Sequence, residues 1–235
     1  MPLEAVFFDV GNTLITTSEP EGKVFQEIAS HYGYTLDGLQ AEQSVSQMYR
    51  YYESAYGNDC SFWSDNLQVR KVWLDMYSLL CELTGITEQA KQIAEDVYSY
   101  YFSAEAWQPF ADVLPVLQEL KGSGLVLGTI SNWDTTLRGI LQGIGLGSYF
   151  KVIVASADVR LNKPNEAIFA LACERLGVRA ERAIHVGDHL TADASGALGA
   201  GLHAVLIDRR DRHVGYQDAP RINDLRKLPG LIASL

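Results

Sequence analysis

Four short stretches place reactive residue types just beyond apolar runs. Asp9 follows Val6-Phe7-Phe8, and Ser131-Asn132 follows Leu127-Gly128-Thr129-Ile130. Lys163-Pro164 comes after Val152–Ala155 and an intervening loop. Gly187-Asp188 follows Ala183–Val186, with Asp193 shortly beyond. One such residue would be noise, but four on one rim of a predicted sheet form a candidate site. Their chemistry is complementary. Asp9 and Asp188 can share a hard divalent cation. Mg²⁺ takes about six oxygen ligands, usually one or two carboxylates with substrate phosphate and water. A carboxylate beside such an ion stays ionised and can attack phosphorus. The Ser131 hydroxyl and the backbone N–H groups around it can bind a phosphoryl oxygen. Lys163 supplies positive charge where negative charge builds up in transfer.

Those residues need elements that bring them to one place. The runs Ala5–Phe8, Leu125–Ile130, Val152–Ala155, Ala183–Val186 and His203–Ile207 have strand length and are rich in Val, Ile or Phe. Between the later ones, Val113–Lys121, Thr135–Ile144 and Asn165–Leu176 carry apolar residues at helical spacing and run into glycines. Near-continuous apolar strands alternating with helices predict an α/β fold with a doubly wound parallel sheet covered on both faces. In such sheets ligands bind beyond the carboxyl ends of the strands. The first two runs are too far apart for one crossover. The stretch between them reads as helical and Tyr-rich, for example "MYRYYESAY" and "VYSYYF". It predicts a helical cap of residues 16–108 inserted into a core of residues 1–15 and 109–235, lying over the strand ends as a lid. The ordinary reading of its tyrosines is cap core and amphipathic surface. Pro20 and Pro109 suit the two crossings. The tail "RRDRHVGYQDAPRIND" reads as a loop, followed by a short helix around Leu225–Leu235.

Composition narrows the classes further. The 235 residues are 47% apolar and carry a net charge of −10, with no basic stripe. This argues against general binding to nucleic acid or to an anionic membrane. An anionic substrate is still compatible if a cation or backbone dipoles offset the repulsion. Cys60, Cys81 and Cys173 are far apart and form no C-x-x-C pair, which fits a reducing, cytoplasmic setting. The start "MPLEAVFF" lacks the features of a signal peptide, and no apolar run approaches the ~18 residues of a membrane span. Nothing in the sequence points to a protein partner.

Taken together, the four stretches resemble the haloacid dehalogenase superfamily. Asp9-Val10-Gly11-Asn12-Thr13 is similar to its first motif, D-x-D-x-T after an apolar strand. Ser131 matches the second motif, Lys163-Pro164 the third, and Gly187, Asp188 and Asp193 the fourth. The order is right, and the match runs over nearly the whole chain. The helical insert after the first motif resembles the family's cap. Trp107-Gln108 at its exit also resembles the branch called haloacid dehalogenase-like hydrolase domain-containing protein 3. The resemblance implies a Rossmann-like core and Mg²⁺-dependent hydrolysis of a small phosphorylated metabolite. Asp9 would be nucleophile and metal ligand, and Ser131 and Lys163 its catalytic partners. The Gly11 carbonyl and Asp188 would be further ligands, with Asp193 in or just outside the ligand set. Asn12, Ser131, Asn132 and Lys163 would hold phosphate.

One position departs from the pattern. Family phosphatases carry an Asp two residues after the nucleophile, which protonates the leaving group and then activates water. Gly11 stands there instead. Such proton transfer is worth roughly 10²–10⁴-fold, or about 3–5 kcal/mol of barrier. His189, a cap carboxylate such as Glu19 or Glu21, or a substrate with its own acid or a good leaving group could compensate. The alternatives to a slow phosphatase are a non-catalytic protein that binds phosphate compounds or a partner, and hydrolysis of a carbon–halogen or carbon–phosphorus bond. Dehalogenases usually replace the Gly-Asp pair that is intact here, and carry a Tyr where Gly11 stands. Phosphonatases carry a small residue at that place and use a cap Lys, for which only Lys23, Lys71 and Lys91 are present.

Overall fold

The computed structural model describes residues 2–57 and 59–234. The chain forms β1 (Ala5–Phe8), β2 (Ile15–Thr17), α1 (Glu21–Ser30), α2 (Gly38–Tyr56), α3 (Asn66–Leu83) and α4 (Ala90–Tyr101). Next come β3 (Trp107–Pro109), α5 (Val113–Gly122), β4 (Val126–Ser131), α6 (Leu137–Gly143), β5 (Val152–Ala155) and α7 (Ser156–Val159). The chain closes with α8 (Glu166–Leu176), β6 (Ala183–Gly187), α9 (Gly196–Gly199), β7 (His203–Ile207), β8 (Arg221–Ile222) and α10 (Leu228–Ala233).

The sheet is parallel throughout, in the order β5-β4-β1-β6-β7-β8. The apolar run of β1 explains its central place. Val6 and Phe8 pack with Val113, Val116 and Leu117 of α5 and with Leu137 and Ile140 of α6. Ala5 and Phe7 pack on the other face with Ile168, Phe169 and Ala172 of α8. All four β1 residues are fully buried. A strand covered on both faces loses the polar alternation of a half-exposed one. Burying each Phe is worth roughly 1.5–3 kcal/mol. Gly128 of β4 lies opposite Phe7, and a Cβ there would meet the Phe7 ring at 2.8 Å. The glycine is the space the ring occupies.

β1 has β4 on one side and β6 on the other, so the chain reverses its direction of travel across the sheet at β1. A crevice opens at the carboxyl ends of these strands. Above it, α1 to α4 build an apolar cluster of their own, with Phe25, Met48, Met76, Leu80 and Ile93 buried in it. Asp37 starts α2 by accepting the Gln40 N–H at 3.0 Å, and Asp65 starts α3 by accepting those of Leu67 and Gln68. The two crossings into this helical insert run side by side. β2 and β3 pair antiparallel, with Thr17 opposite Trp107 and Ile15 opposite Pro109. No described helix is long and apolar enough to cross a membrane.

Four details differ from the sequence expectation. β8 pairs with β7, Leu206 beside Arg221, inside the tail read as loop. β2 and β3 are three-residue strands, too short to register as apolar runs. α6 begins at Leu137 rather than Thr135, because Asp134 accepts the Thr136 N–H at 2.9 Å and its hydroxyl at 2.5 Å and holds those residues in a turn. The final helix starts at Leu228 after a 3₁₀ turn over Leu225–Lys227, and Leu235 lies outside the described residues.

Candidate active site

The ladder carries Asp9 one residue past β1, where its N–H donates to the Val186 carbonyl at 2.9 Å. The chain then folds back on itself. The Val10 carbonyl accepts from Leu14 and Ile15, and Asn12, at φ 55°, donates its N–H to the Ile15 carbonyl at 2.9 Å. Left-handed backbone is tolerated best by Gly, Asn and Asp. The Asn12 N–H is thus used within the turn, while the residue itself stands on the wall of the crevice. Ser131 ends β4, and Gly187 ends β6.

Lys163 arrives from the segment after α7, and its backbone is clamped. Asn132 Oδ1 accepts the Lys163 N–H at 2.8 Å, and Asn132 Nδ2 and Asn162 Nδ2 donate to its carbonyl at 3.0 and 3.1 Å. The Lys163-Pro164 peptide is cis. The side chain is 2% exposed. Its ammonium donates to Asp9 Oδ1 at 2.6 Å and to Asp193 Oδ1 at 2.5 Å. The Ser131 hydroxyl donates to the same Asp9 oxygen at 3.0 Å, so Oδ2 is the oxygen not engaged by these donors.

Asp193 lies in a π-helical turn, Leu190–Ser195. His189 starts that turn by accepting the Thr191 and Ala192 N–H groups on Nδ1, at 3.2 and 3.1 Å. This assigns His189 a capping task that its position after Asp188 did not suggest. The His189 N–H donates to Asp193 Oδ2 at 3.0 Å, and His185 Nε2 lies 2.8 Å from Asp193 Oδ1. A Cβ on Gly187 would overlap the Asp193 carboxylate, which explains the glycine before Asp188.

The charges are unbalanced. Burial works against the Lys163 ammonium, but Asp193 and Asp9 outweigh it and raise its pKa. Burial also works against ionised Asp193, yet Lys163 and His185 hold it below the usual carboxylate range. Burial lowers His185, with Asp193 restoring part of the loss. The carboxylate partner fixes Nε2–H as the donor of a neutral ring. Asp188 is pushed well above its ordinary value, by burial first and then by Asp9 and Asp193. Asp9, Asp188 and Asp193 each bring a carboxylate oxygen within 4.8 Å of the others. Three carboxylates against one ammonium leave excess negative charge in a largely dry place, which suits a hard divalent cation. Both Asp193 oxygens already accept hydrogen bonds, so Asp9 and Asp188 have the oxygens to spare.

The crevice is a cavity of about 390 Å³, walled by the site residues below and the insert above. Gly11 is on its wall, and a Cβ there would touch the Trp133 ring at 3.4 Å. Of the insert residues proposed to help, Glu21 lines it and Glu19 does not; Glu19 pairs with Lys23 at the surface. Lys71 pairs with Asp75, also exposed, and none of Lys23, Lys71 and Lys91 lines the cavity.

A model of the haloacid dehalogenase-like hydrolases matches residues 3–201. The chain belongs to this family. Among hydrolases of this family, it is 31% identical to haloacid dehalogenase-like hydrolase domain-containing protein 3 of Danio rerio, over 100% of this chain and 97% of that protein. It is 30% identical to the glyceraldehyde 3-phosphate phosphatase of Methanopyrus kandleri, over 94% and 89%. Its fold matches the crystal structure of a HAD phosphatase from Thermococcus onnurineus with a TM-score of 0.64 and 26% identity, over 98% of both chains.

Three features of this hydrolase escaped sequence reasoning. His185 was readable in principle, as the one polar side chain inside the apolar run Ala183–Val186. The clamp of Asn132 on Lys163 joins residues far apart in the chain and left no local signal. The tyrosines of α2 and α3 were read as cap core, and Tyr49, Tyr52, Tyr56 and Tyr77 do pack in or against the apolar cluster of the insert, but they also line the cavity, which the sequence did not reveal.

Proposed function

We propose that this hydrolase cleaves a small phosphate monoester, with Mg²⁺ as cofactor and Asp9 as nucleophile. The observation that carries the reading is the Lys163 ammonium bridging Asp9 and Asp193, beside the surplus carboxylate of Asp188. The phosphatase-named relatives agree with it. Asp9, Asp188 and the Gly11 carbonyl would hold the ion, with Asp193 supporting from behind through Lys163. The ion would neutralise phosphoryl oxygens and keep Asp9 ionised.

Asp9 Oδ2 attacks phosphorus as the ester P–O bond breaks, giving an aspartyl-phosphate and an alkoxide. Ser131 and Lys163 fix Oδ1, which aims the attacking oxygen and costs no reorganisation during the reaction. Ser131, the backbone at Asn132, Asn12 at the rim and Lys163 receive the phosphoryl oxygens. The alkoxide takes a proton from water or from the substrate, because Gly11 supplies none. Water then splits the aspartyl-phosphate at phosphorus, releasing inorganic phosphate and restoring the carboxylate. Without a base at Gly11 this second step is slow. The insert acts as the cap that covers the reaction and selects the organic half of the ester.

The test is Mg²⁺-dependent hydrolysis of an aryl phosphate by wild type and Asp9→Asn, with rapid quench of the wild type. Expected are activity in wild type, a loss of ~10³-fold or more in the variant, and a burst with an acid-stable, hydroxylamine-labile phosphoprotein. Wild type that binds Mg²⁺ but hydrolyses nothing would overturn the reading.

A further inference from the structure

Aromatic side chains line the cavity, among them all four tryptophans of the chain, Trp63 and Trp73 in the insert, Trp107 at its exit and Trp133 just past β4. The rings form a continuous series. Tyr52 stacks on Trp73 at 5.5 Å, Trp73 on Tyr77 at 5.8 Å and Tyr77 on Tyr101 at 6.1 Å. Trp107 meets Trp133, beside Gly11, edge to face at 5.1 Å. Into this wall the first turn of α1 sets one carboxylate, Glu21. The Tyr49 hydroxyl donates to it at 3.0 Å, and its field reaches Tyr77 and Tyr101. Among the described residues no Lys, Arg or His forms an ion pair with Glu21. Its neighbour Glu42, which accepts the Gly22 N–H, adds like charge. Burial and then Glu42 raise the Glu21 carboxyl, against the Tyr49 bond. Arg210, the other cationic side chain on the cavity besides Lys163, is exposed.

We infer that this end of the cavity is a cation subsite, and that the organic half of the phosphate ester carries a positively charged amine. The inference rests on the phosphatase reading and names its substrate class. Ring faces attract cations, and desolvated pairs of this kind exceed exposed ones in strength. A carboxylate with no cation of its own in such a wall gains one from the ligand. The charge also bears on Gly11. An ammonium close to the ester oxygen withdraws electrons and makes the alkoxide a better leaving group, which lessens the need for a protein acid.

The test compares kcat/KM for phosphocholine with that for its uncharged isostere, in which a tert-butyl group replaces the trimethylammonium, using wild type and Glu21→Gln with Mg²⁺. Wild type should favour the cation by about tenfold or more, and Glu21→Gln should bring the two esters close together. If wild type hydrolyses para-nitrophenyl phosphate yet treats the two esters alike, the subsite is refuted and the phosphatase reading stands. If no ester is hydrolysed, the phosphatase reading fails and tryptophan fluorescence decides the subsite. Tetramethylammonium should then give a saturable change that matched potassium chloride does not. Its absence in wild type would refute the subsite.

Discussion

Restoring a carboxylate at Gly11 probes the site most directly. Gly11 is not among the residues with positive φ, and a Cβ there reaches only ordinary contact with the Trp133 ring. An aspartate therefore fits without backbone strain, on the wall of the cavity that holds Asp9. The gain available is that of general acid–base help, roughly 10²–10⁴-fold. Against it stands the negative charge already present on Asp9, Asp188 and Asp193. Two like charges some 5–6 Å apart repel by about 3 kcal/mol at an effective dielectric near 20. That repulsion keeps the new carboxyl protonated to higher pH, which suits a general acid and hinders the base step. The expected outcome for Gly11→Asp is therefore at the low end, about 10²-fold in kcat for an alkyl phosphate. An aryl phosphate leaves without a proton, so its aspartyl-phosphate formation in single-turnover quench should change by no more than about threefold. Steady-state assays and single-turnover quench on both esters separate the steps. An equal effect on both esters in the first step, or none on the alkyl ester, would refute the assignment of Gly11 as the missing proton-transfer position.

Other outcomes follow from the same geometry. Lys163→Met leaves Asp9 and Asp193 buried without their shared cation, and should cost about 3–5 kcal/mol, lowering Tm by roughly 10 °C in calorimetry of the metal-free protein. Gly187→Ala forces Asp193 away from Lys163, so hydrolysis should fall by ~10²-fold while circular dichroism keeps its α/β signature. Asp208 accepts the Arg212 and His213 N–H groups and pairs with Arg221. Burial opposes its ionised form, but these partners lower its pKa below the ordinary value. The stability it contributes is present above the unfolded value of about 3.9 and is lost as pH falls through the lower folded value. Asp208→Asn should thus destabilise by about 1–3 kcal/mol at neutral pH, and by progressively less as pH falls below the ordinary carboxylate range, as read by urea denaturation.

The core strands were legible because a central parallel strand, covered on both faces, has no polar position to interrupt it. Ala5–Phe8 came out at its sequence boundaries, and Ser131, expected just after β4, is its last residue. β8 was not legible because its two residues sit in a polar tail and take their conformation from β7. The grouping of the candidate site was legible where a polar residue stands just past a strand, as with Asp9 and Asp188, whereas Lys163 reaches it from the segment after α7. It was obscure where a residue acts on another far along the chain, as Asn132 does on Lys163. The aromatic wall was obscure for a different reason. A tyrosine at helical spacing looks the same whether its ring meets a helix core or an open cavity, and only the packing of α2 and α3 over the crevice separates the two.

The ribbon of β2 and β3 has a consequence for how such a chain can be altered. Thr17 and Trp107 are register partners, so the chain leaves the sheet and returns at neighbouring points. A tight turn could join them and omit everything between. The floor of the candidate site, from Asp9 to Asp193, would keep its strands, its lysine clamp and its carboxylates. What would go is most of the aromatic roof and its lone carboxylate. Seen this way, the insert sits on a two-strand socket, and under the proposed function exchanging it between relatives would give the same floor a new clientele without redesigning the floor.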